Sequence, residues 1–269
     1  MFLSALVVFT LLGLFVGSFL NVCIDRLPKG QSIVFPSSRC AGCGHKLRII
    51  DLVPVFSYLW LRGRCRYCGI PIPRRIPVVE AAAGVLFVLI YWKYGISIEL
   101  LIVLIYASIF LLIFVVDLET MYVWSAVVYP SMALALAFSM LWPGIRVLDV
   151  PGGRLVGDIA SSLAGGITGA SLMALPYLIS RLVYRREAMG KGDIQLGALA
   201  GLVTGFPFAL EAILLAVVGG GLAAGVLLLF KVVKRTEPIP FGPFLVLGAM
   251  TTLLWGQTIY QWYAGWMHI

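Results

Sequence analysis

Long apolar stretches of close to 20 residues recur along the 269-residue chain and constrain its fold more than any other feature. A helix of about 20 apolar residues spans the hydrocarbon core of a bilayer. With 61% hydrophobic and 12% charged residues, the composition is that of a polytopic membrane protein rather than a soluble globule. The pattern predicts an all-α fold with about eight transmembrane helices. They are placed at residues 3–22, 78–94, 98–116, 123–141, 159–183, 194–205, 206–232 and 244–262.

The apolar pattern divides the chain into three parts. Residues 1–22 form a first transmembrane helix, 23–77 a polar loop, and 78–269 a multi-helix membrane core. The first helix lacks the basic start of a signal peptide, so it is predicted to be retained as a span. Within the core, Gly205-Phe206-Pro207 leaves the sixth stretch short, either as a partial span or continuous with the next one.

Basic residues are distributed unevenly between the two predicted sides of the membrane. Seventeen of the 20 Lys and Arg residues lie in or beside four alternating loops. These loops are residues 23–77, 117–122, 184–193 and 233–242. Because cytoplasmic loops carry the excess of Lys and Arg, all four are predicted to face the cytoplasm. The net charge of +8 therefore reflects orientation in the bilayer, and no nucleic-acid partner is expected.

Four cysteines form two CxxC pairs in the loop at 23–77. Cys40 and Cys43 make the first pair, and Cys65 and Cys68 make the second after 21 intervening residues. Two thiolates at this spacing reach one ion, and two pairs complete a tetrahedral shell, so these four residues are predicted ligands of structural Zn²⁺. Two disulfides or idle thiols are the alternative, which a reducing cytoplasm disfavours. Cys23 is unpaired and is expected to be a small buried residue.

Two acids lie where apolar stretches meet the predicted cytoplasmic face. Asp117 ends an apolar run, and Asp193 closes the motif Gly190-Lys191-Gly192-Asp193. An ionisable side chain at a membrane edge is costly and points to function. Gly190 and Gly192 let the backbone pack closely before the next helix. The alternative is an ordinary helix-end acid at each position, with Asp193 as a cap and Asp117 solvated.

Two carboxylates at one depth have the chemistry of an aspartyl hydrolase. Sharing one proton and one water, they activate the water as a nucleophile and protonate the departing amine. Like charges a few ångströms apart do not both ionise, so one pKa rises and the other falls. Asp117 and Asp193 are therefore predicted as a catalytic pair that works closer to neutral pH than soluble acid proteases do.

Further motifs accompany these residues along almost the whole chain. They comprise residues 13–22 with 26–28, 61–69 inside the cysteine loop, 77–80, 117–119, 190–193 and 239–243. Together these motifs resemble the bacterial type IV prepilin peptidases, GxGD-type membrane aspartyl proteases related to the archaeal preflagellin peptidases. The resemblance implies that Asp117 and Asp193 are the catalytic residues.

Two sites depart from the family pattern. Seven residues after its first catalytic Asp the family commonly has Pro-Asp, where this chain has Trp124-Ser125. After its GxGD motif the family usually has a Lys, where this chain has Gln195. The missing acid at 125 leaves Asp117 as the candidate for the first catalytic residue, and no cationic role is carried over to position 195.

The resemblance also implies a substrate and a second activity. Such enzymes remove the short basic leader of type IV prepilins or type II secretion pseudopilins at the cytoplasmic face of the bacterial inner membrane. Many four-cysteine members then methylate the new amino terminus with S-adenosylmethionine. Because no Gly-rich nucleotide-binding turn is present, this activity is expected on the cysteine loop and helix ends. Glu80 is the nearest candidate polar group, or else an anchor for the loop through Arg74 or Arg75.

Two other classes of protein remain compatible with the residues. An ion- or proton-coupled transporter also carries carboxylates within helices, although near the midplane and in two related halves. A zinc-bound membrane assembly scaffold would use the cysteine loop and leave both Asp residues idle. Leader cleavage that depends on Asp117 and Asp193 separates the three classes.

Overall fold

A computed structural model describes residues 2–141, 154–183, 190–233 and 239–266 of the chain. Over these residues the chain forms nine α-helices and no β-strand. The helices are α1 (Phe2–Arg26), α2 (Phe56–Trp60), α3 (Arg75–Tyr94), α4 (Ile98–Thr120), α5 (Ser125–Ser139), α6 (Arg154–Val183), α7 (Lys191–Thr204), α8 (Phe208–Leu229) and α9 (Gly242–Trp266). The prediction of an all-α membrane protein is confirmed.

Eight of the nine helices coincide with the eight apolar stretches that were predicted to be spans. The ninth, α2, lies in the cysteine loop. Five helices are long and apolar enough to cross a membrane: α1, α3, α4, α6 and α8. α5 has 15 residues and α7 only 14, while α9 has 25 residues but a polar and aromatic second half. Gly205, at φ +73°, ends α7 before α8 begins, so the sixth stretch is a separate short helix. The predicted basic loop residues at 184–189 and 234–238 lie outside the described residues.

The chain divides into two compact units, and the first comprises Met1–Leu112. In this unit the backbones of α1 and α3 lie against each other. A β-carbon at Gly17 would come within 2.7 Å of the Glu80 Cα, so the close approach requires glycine there. Asn21 adds a hydrogen bond, its Nδ2 donating to the Ile76 carbonyl at 3.0 Å. The closeness of the two helices therefore rests on small residues, as is usual where helices meet in a membrane.

Glu80 contacts the cysteine loop through a backbone N–H group. Its Oε2 accepts a hydrogen bond of 2.7 Å from the Val55 backbone N–H, just before α2. Arg75 instead forms a 2.7 Å ion pair with Asp25 at the end of α1. Glu80 thus contacts the loop through the Val55 backbone.

The second unit, Ile113–Ile269, is built around α7. This helix contacts α5, α6, α8 and α9. Gly165 and Gly169 of α6 face Gly201 and Gly197 of α7 so closely that any β-carbon would strike the opposing backbone. Since neighbouring helices cover α7, it needs neither the length nor the hydropathy of a lipid-facing span. Gly165 therefore serves the packing of α6 against α7.

Candidate active site

Asp117 lies three residues before the end of α4, in the part of this helix that belongs to the second unit. It is only 4% exposed, which excludes a solvated acid at this position. Its Oδ2 is buried and has no hydrogen-bond partner among the described residues. A buried oxygen left unpaired costs free energy, so a purely structural acid would be poorly placed here.

Asp193 is the third residue of α7 and faces the same region. Its Oδ2 accepts a hydrogen bond of 3.2 Å from the Gly190 N–H, so the expected capping contact is present. Burial, and then the nearby charge of Asp117, raise the pKa of Asp193 to about 6, against the opposing effect of the Gly190 N–H. The structure thus brings Asp117 and Asp193 into electrostatic contact across 76 residues of sequence (193 minus 117). Their catalytic role stays a prediction.

Gly242, the first residue of α9, closes over Asp117. A β-carbon at this position would come 2.5 Å from Asp117 Oδ2 and 2.9 Å from Leu196 Cδ1. Helices α4, α7 and α9 therefore meet at one point, and only a glycine fits there. Sequence reasoning noted the motif at 239–243 without giving Gly242 a role. A glycine enclosed by Pro240 and Pro243 was the available signal that the backbone is held close to another group.

The two glycines before Asp193 differ in what surrounds them. A β-carbon at Gly192 would lie 2.6 Å from Val123 Cβ, in the connection between α4 and α5. A β-carbon at Gly190 would meet nothing closer than Asp193 Oδ2, at 3.7 Å, which is an ordinary contact. Gly192 is therefore required for the approach of α7 to the segment after Asp117, and Gly190 is not.

We expect Gly192→Ala to lower the rate of peptide cleavage by about tenfold to a hundredfold, because a displacement near 1 Å suffices for such a loss. Gly190→Ala should stay within about threefold of wild type, since it changes only helix capping. Initial rates of both purified variants on one peptide substrate measure the difference. Equal losses in the two variants would contradict the packing role of Gly192.

The two departures from the family pattern touch each other. Ser125 Oγ donates a hydrogen bond of 3.1 Å to Gln195 Oε1, and Gln195 Nε2 donates one of 2.9 Å to the Tyr129 hydroxyl. This chain of contacts joins the first turn of α5 to α7, two residues beyond Asp193. Where the family pattern has an acid and a cation, this chain thus has a neutral pair. The exchange of both positions leaves the net charge of this contact unchanged.

The four cysteines of the loop come together although they lie in two separated pairs. Their Sγ atoms all lie within 4.8 Å of one another, and Cys40 and Cys68 are 3.7 Å apart. A tetrahedral ion with metal–sulfur bonds of about 2.3 Å has sulfur–sulfur edges of about 3.8 Å, so the cluster fits one metal ion. Backbone N–H groups of Cys43 and Gly42 lower the pKa of Cys40 to about 6, which favours the thiolate form. All five cysteines are free thiols, and Cys23 is buried as expected.

Comparison with known proteins identifies the family. Residues 11–94 match the bacterial peptidase A24 N-terminal domain, and residues 102–226 match the type IV leader peptidase family. A Pseudomonas putida protein named prepilin leader peptidase/N-methyltransferase is 32% identical over 93% of this chain and 91% of its own length. Proteins of the same name from Stutzerimonas stutzeri and Aeromonas hydrophila are 31% and 30% identical, over 92% and 94% of this chain and 90% and 91% of theirs. No solved structure matches the chain. With both domains present in order, the chain belongs to the type IV leader peptidase family.

Proposed function

We propose that this chain is a membrane aspartic endopeptidase that removes the leader of type IV prepilins or type II secretion pseudopilins. We further propose that it then methylates the new amino terminus with S-adenosylmethionine. The observation that carries the proposal is the placement of Asp117 and Asp193 in one unit, where Gly242 packs against both Asp117 and Leu196 of α7, the helix that carries Asp193. The names of the relatives support both activities and favour neither the transporter nor the scaffold.

The site is assigned to the cytoplasmic side of the bacterial inner membrane. The excess of Lys and Arg on that side of the chain supports this orientation. The new amino terminus formed there faces the compartment that holds S-adenosylmethionine.

The chemistry follows from two acids that hold one proton between them. The ionised carboxylate takes a proton from a water molecule as the water oxygen attacks the scissile carbonyl carbon. The protonated carboxyl then donates its proton to the peptide nitrogen, the C–N bond breaks, and a carboxylic acid and a free amine leave. Asp193, with its pKa of about 6, is the better holder of the shared proton near neutral pH. Asp117 is then assigned the role of the ionised carboxylate that takes the proton from the water.

Cleavage of a synthetic prepilin by the purified protein in detergent tests the proposal. Wild type should release the leader, whereas Asp117→Asn and Asp193→Asn should each lose at least about a thousandfold in rate, the upper part of the range for general acid–base catalysis. Glu119→Gln is the matched control, because Glu119 is an exposed acid two residues from Asp117. Cleavage that survives in either Asp variant would end the proposal. Labelled S-adenosylmethionine in the same reaction measures the methylation.

We propose Zn²⁺ as the ion of the four-cysteine cluster, because four thiolates in a tetrahedral set are typical of structural zinc. The loop that carries them buries few large apolar side chains, so a metal would contribute much of its folding free energy. It would hold the loop against the ends of α1 and α3.

Elemental analysis should therefore find about one zinc per purified chain. Cys40→Ala should lose most of the metal and make the loop more sensitive to protease, because a three-sulfur site leaves the shell incomplete. Cys23→Ala removes a cysteine outside the cluster and should keep the zinc. Equal zinc content in the two variants would exclude the four-sulfur site.

A further inference from the structure

A cavity of about 530 Å³ opens in the first unit, between the loop ends of α1 and α3 and the cysteine loop. Its volume is within the range of small-molecule sites. Every residue that lines it belongs to the first unit, between Ser18 and Glu80. The acid pair lies in the second unit, so leader cleavage leaves this cavity without an assigned role.

Two buried polar side chains form part of the cavity wall, and one of them has an atom without a partner. Asn21, 5% exposed, uses its Nδ2 to donate to the carbonyls of Gly17 and Ile76 at 3.2 and 3.0 Å. Its Oδ1 is buried and accepts no hydrogen bond from the described residues. Glu80, 4% exposed, accepts from Val55 through Oε2 and brings a carboxylate to the same wall. A ligand that donates hydrogen bonds and carries positive charge suits this wall.

The outer part of the cavity carries charges of both signs. Asp25 is paired with Arg75, and Asp51 with Arg66, each at 2.7 Å. Tyr58 adds an aromatic ring to the lining. A polyphosphate ligand would bring several negative charges towards the buried Glu80, which is costly. A ligand that combines cationic groups, a carboxylate and a flat aromatic base suits the mixture better.

We propose that this cavity is the binding site for S-adenosylmethionine, an inference that rests on the methylation part of the proposed function. The sulfonium and amino groups supply the positive charge that Glu80 requires. The adenine amine and ribose hydroxyls supply donors for Asn21 Oδ1, and the methionyl carboxylate suits the arginines of the outer part. The family match agrees with this division, since the N-terminal domain at 11–94 contains the whole cavity and the peptidase domain at 102–226 contains both acids.

Equilibrium binding of labelled S-adenosylmethionine to the full chain in detergent tests the site without relying on activity. Glu80→Gln keeps an oxygen for the Val55 N–H and removes only the charge. We expect it to weaken binding at least tenfold, and to weaken binding of the neutral thioether product S-adenosylhomocysteine less. Glu99→Gln is the matched control, because Glu99 is in the first unit but does not line the cavity. It should bind both compounds as wild type does.

A second pair of variants guards against misfolding of Glu80→Gln. Ala41 lines the cavity from an exposed loop position, so Ala41→Trp should block the site and reduce binding at least tenfold. Val34→Trp adds the same side chain at an exposed position of the same loop that is not part of the lining, and should bind normally. Zinc content and elution as a single species show that each variant is folded.

The outcomes separate this inference from the proposed function. Wild-type affinity in both Glu80→Gln and Ala41→Trp, or photochemical cross-linking of the label to residues 113–269, would overturn the site. Failure of wild type to bind the labelled compound would overturn it as well, while leader cleavage measured in parallel would still stand. Failure of wild type to cleave prepilin would overturn the peptidase and leave a positive binding result intact.

Discussion

Asp193→Asn should reduce leader cleavage by at least about a thousandfold and at the same time stabilise the protein at neutral pH. The loss follows because an amide neither accepts nor releases the shared proton. Burial and the nearby charge of Asp117 raise the pKa of Asp193 to about 6, so about half of the wild-type molecules carry this proton at pH 6. The initial rate on a synthetic prepilin at pH 6 measures the loss.

The pH dependence of the wild type has a definite sign. The protonated form of Asp193 is the proton donor, and it is lost as the pH rises through about 6. Above that value kcat/KM should decrease as the pH rises, and the decrease should approach tenfold for each pH unit. A profile with no group titrating between mildly acidic and neutral pH would contradict the assignment of the shared proton to this pair.

The gain in stability comes from the same shift. In the unfolded chain Asp193 ionises near its ordinary pKa of 3.8, whereas in the folded chain it ionises at about 6. Stability therefore declines as the pH rises from about 4 to about 6, and stays lowered above that range. Asn carries no such penalty, so its melting temperature should exceed that of the wild type at pH 8 and match it near pH 4. A lower melting temperature for Asp193→Asn than for wild type at pH 8 would contradict this expectation.

Gly242→Ala is expected to reduce cleavage by about a hundredfold or more, although it removes no functional group. The added β-carbon meets Asp117 Oδ2 and Leu196 Cδ1, so either the acid or the start of α9 has to move. Alanine favours helix more than glycine does, so a loss of intrinsic helix stability would not explain the effect. The measurement is kcat on the same prepilin, together with a thermal melt.

Gly221→Ala is the control for this substitution. Gly221 also lies in a helix of the second unit, and a β-carbon there would meet nothing within 4 Å. It should keep wild-type activity. Wild-type activity in Gly242→Ala would show that the close approach of α9 to Asp117 has no part in catalysis.

The sequence predicted the existence of the membrane helices better than their extent. The lipid-length helices α1, α3, α4, α6 and α8 follow directly from runs of apolar residues. α5 and α7 are shorter than the pattern indicated for a full span. Hydropathy reports that a residue avoids water, but it does not distinguish lipid from the neighbouring helices that cover α7. The glycines shared by α6 and α7 were visible in the sequence, whereas the pairing of Gly165 with Gly201 was not.

In the candidate site, too, the sequence predicted which residues matter but not which residues contact each other. Asp117 and Asp193 were paired because two costly acids fell at one depth, which a linear sequence reveals. The contact between Gly242 and Asp117 joins positions 125 residues apart (242 minus 117), and no periodicity reports it. Asn21 lies inside a motif that the sequence shows, but the sequence does not show its contacts. In the structure its Nδ2 donates to the Ile76 carbonyl of α3, and its Oδ1 is left without a partner among the described residues.

The neutral contact between Ser125 and Gln195 has a consequence for how such enzymes evolve. A lone aspartate at 125 would add a third acid to a partly buried contact near the acid pair, and a lone lysine at 195 would leave Ser125 Oγ without its acceptor, so both changes are destabilising. Each single step is therefore disfavoured, while the two together restore a balanced pair. We therefore expect the effects of substitutions at 125 and 195 to be non-additive, with the double exchange to aspartate and lysine less destabilising than the sum of the two single changes.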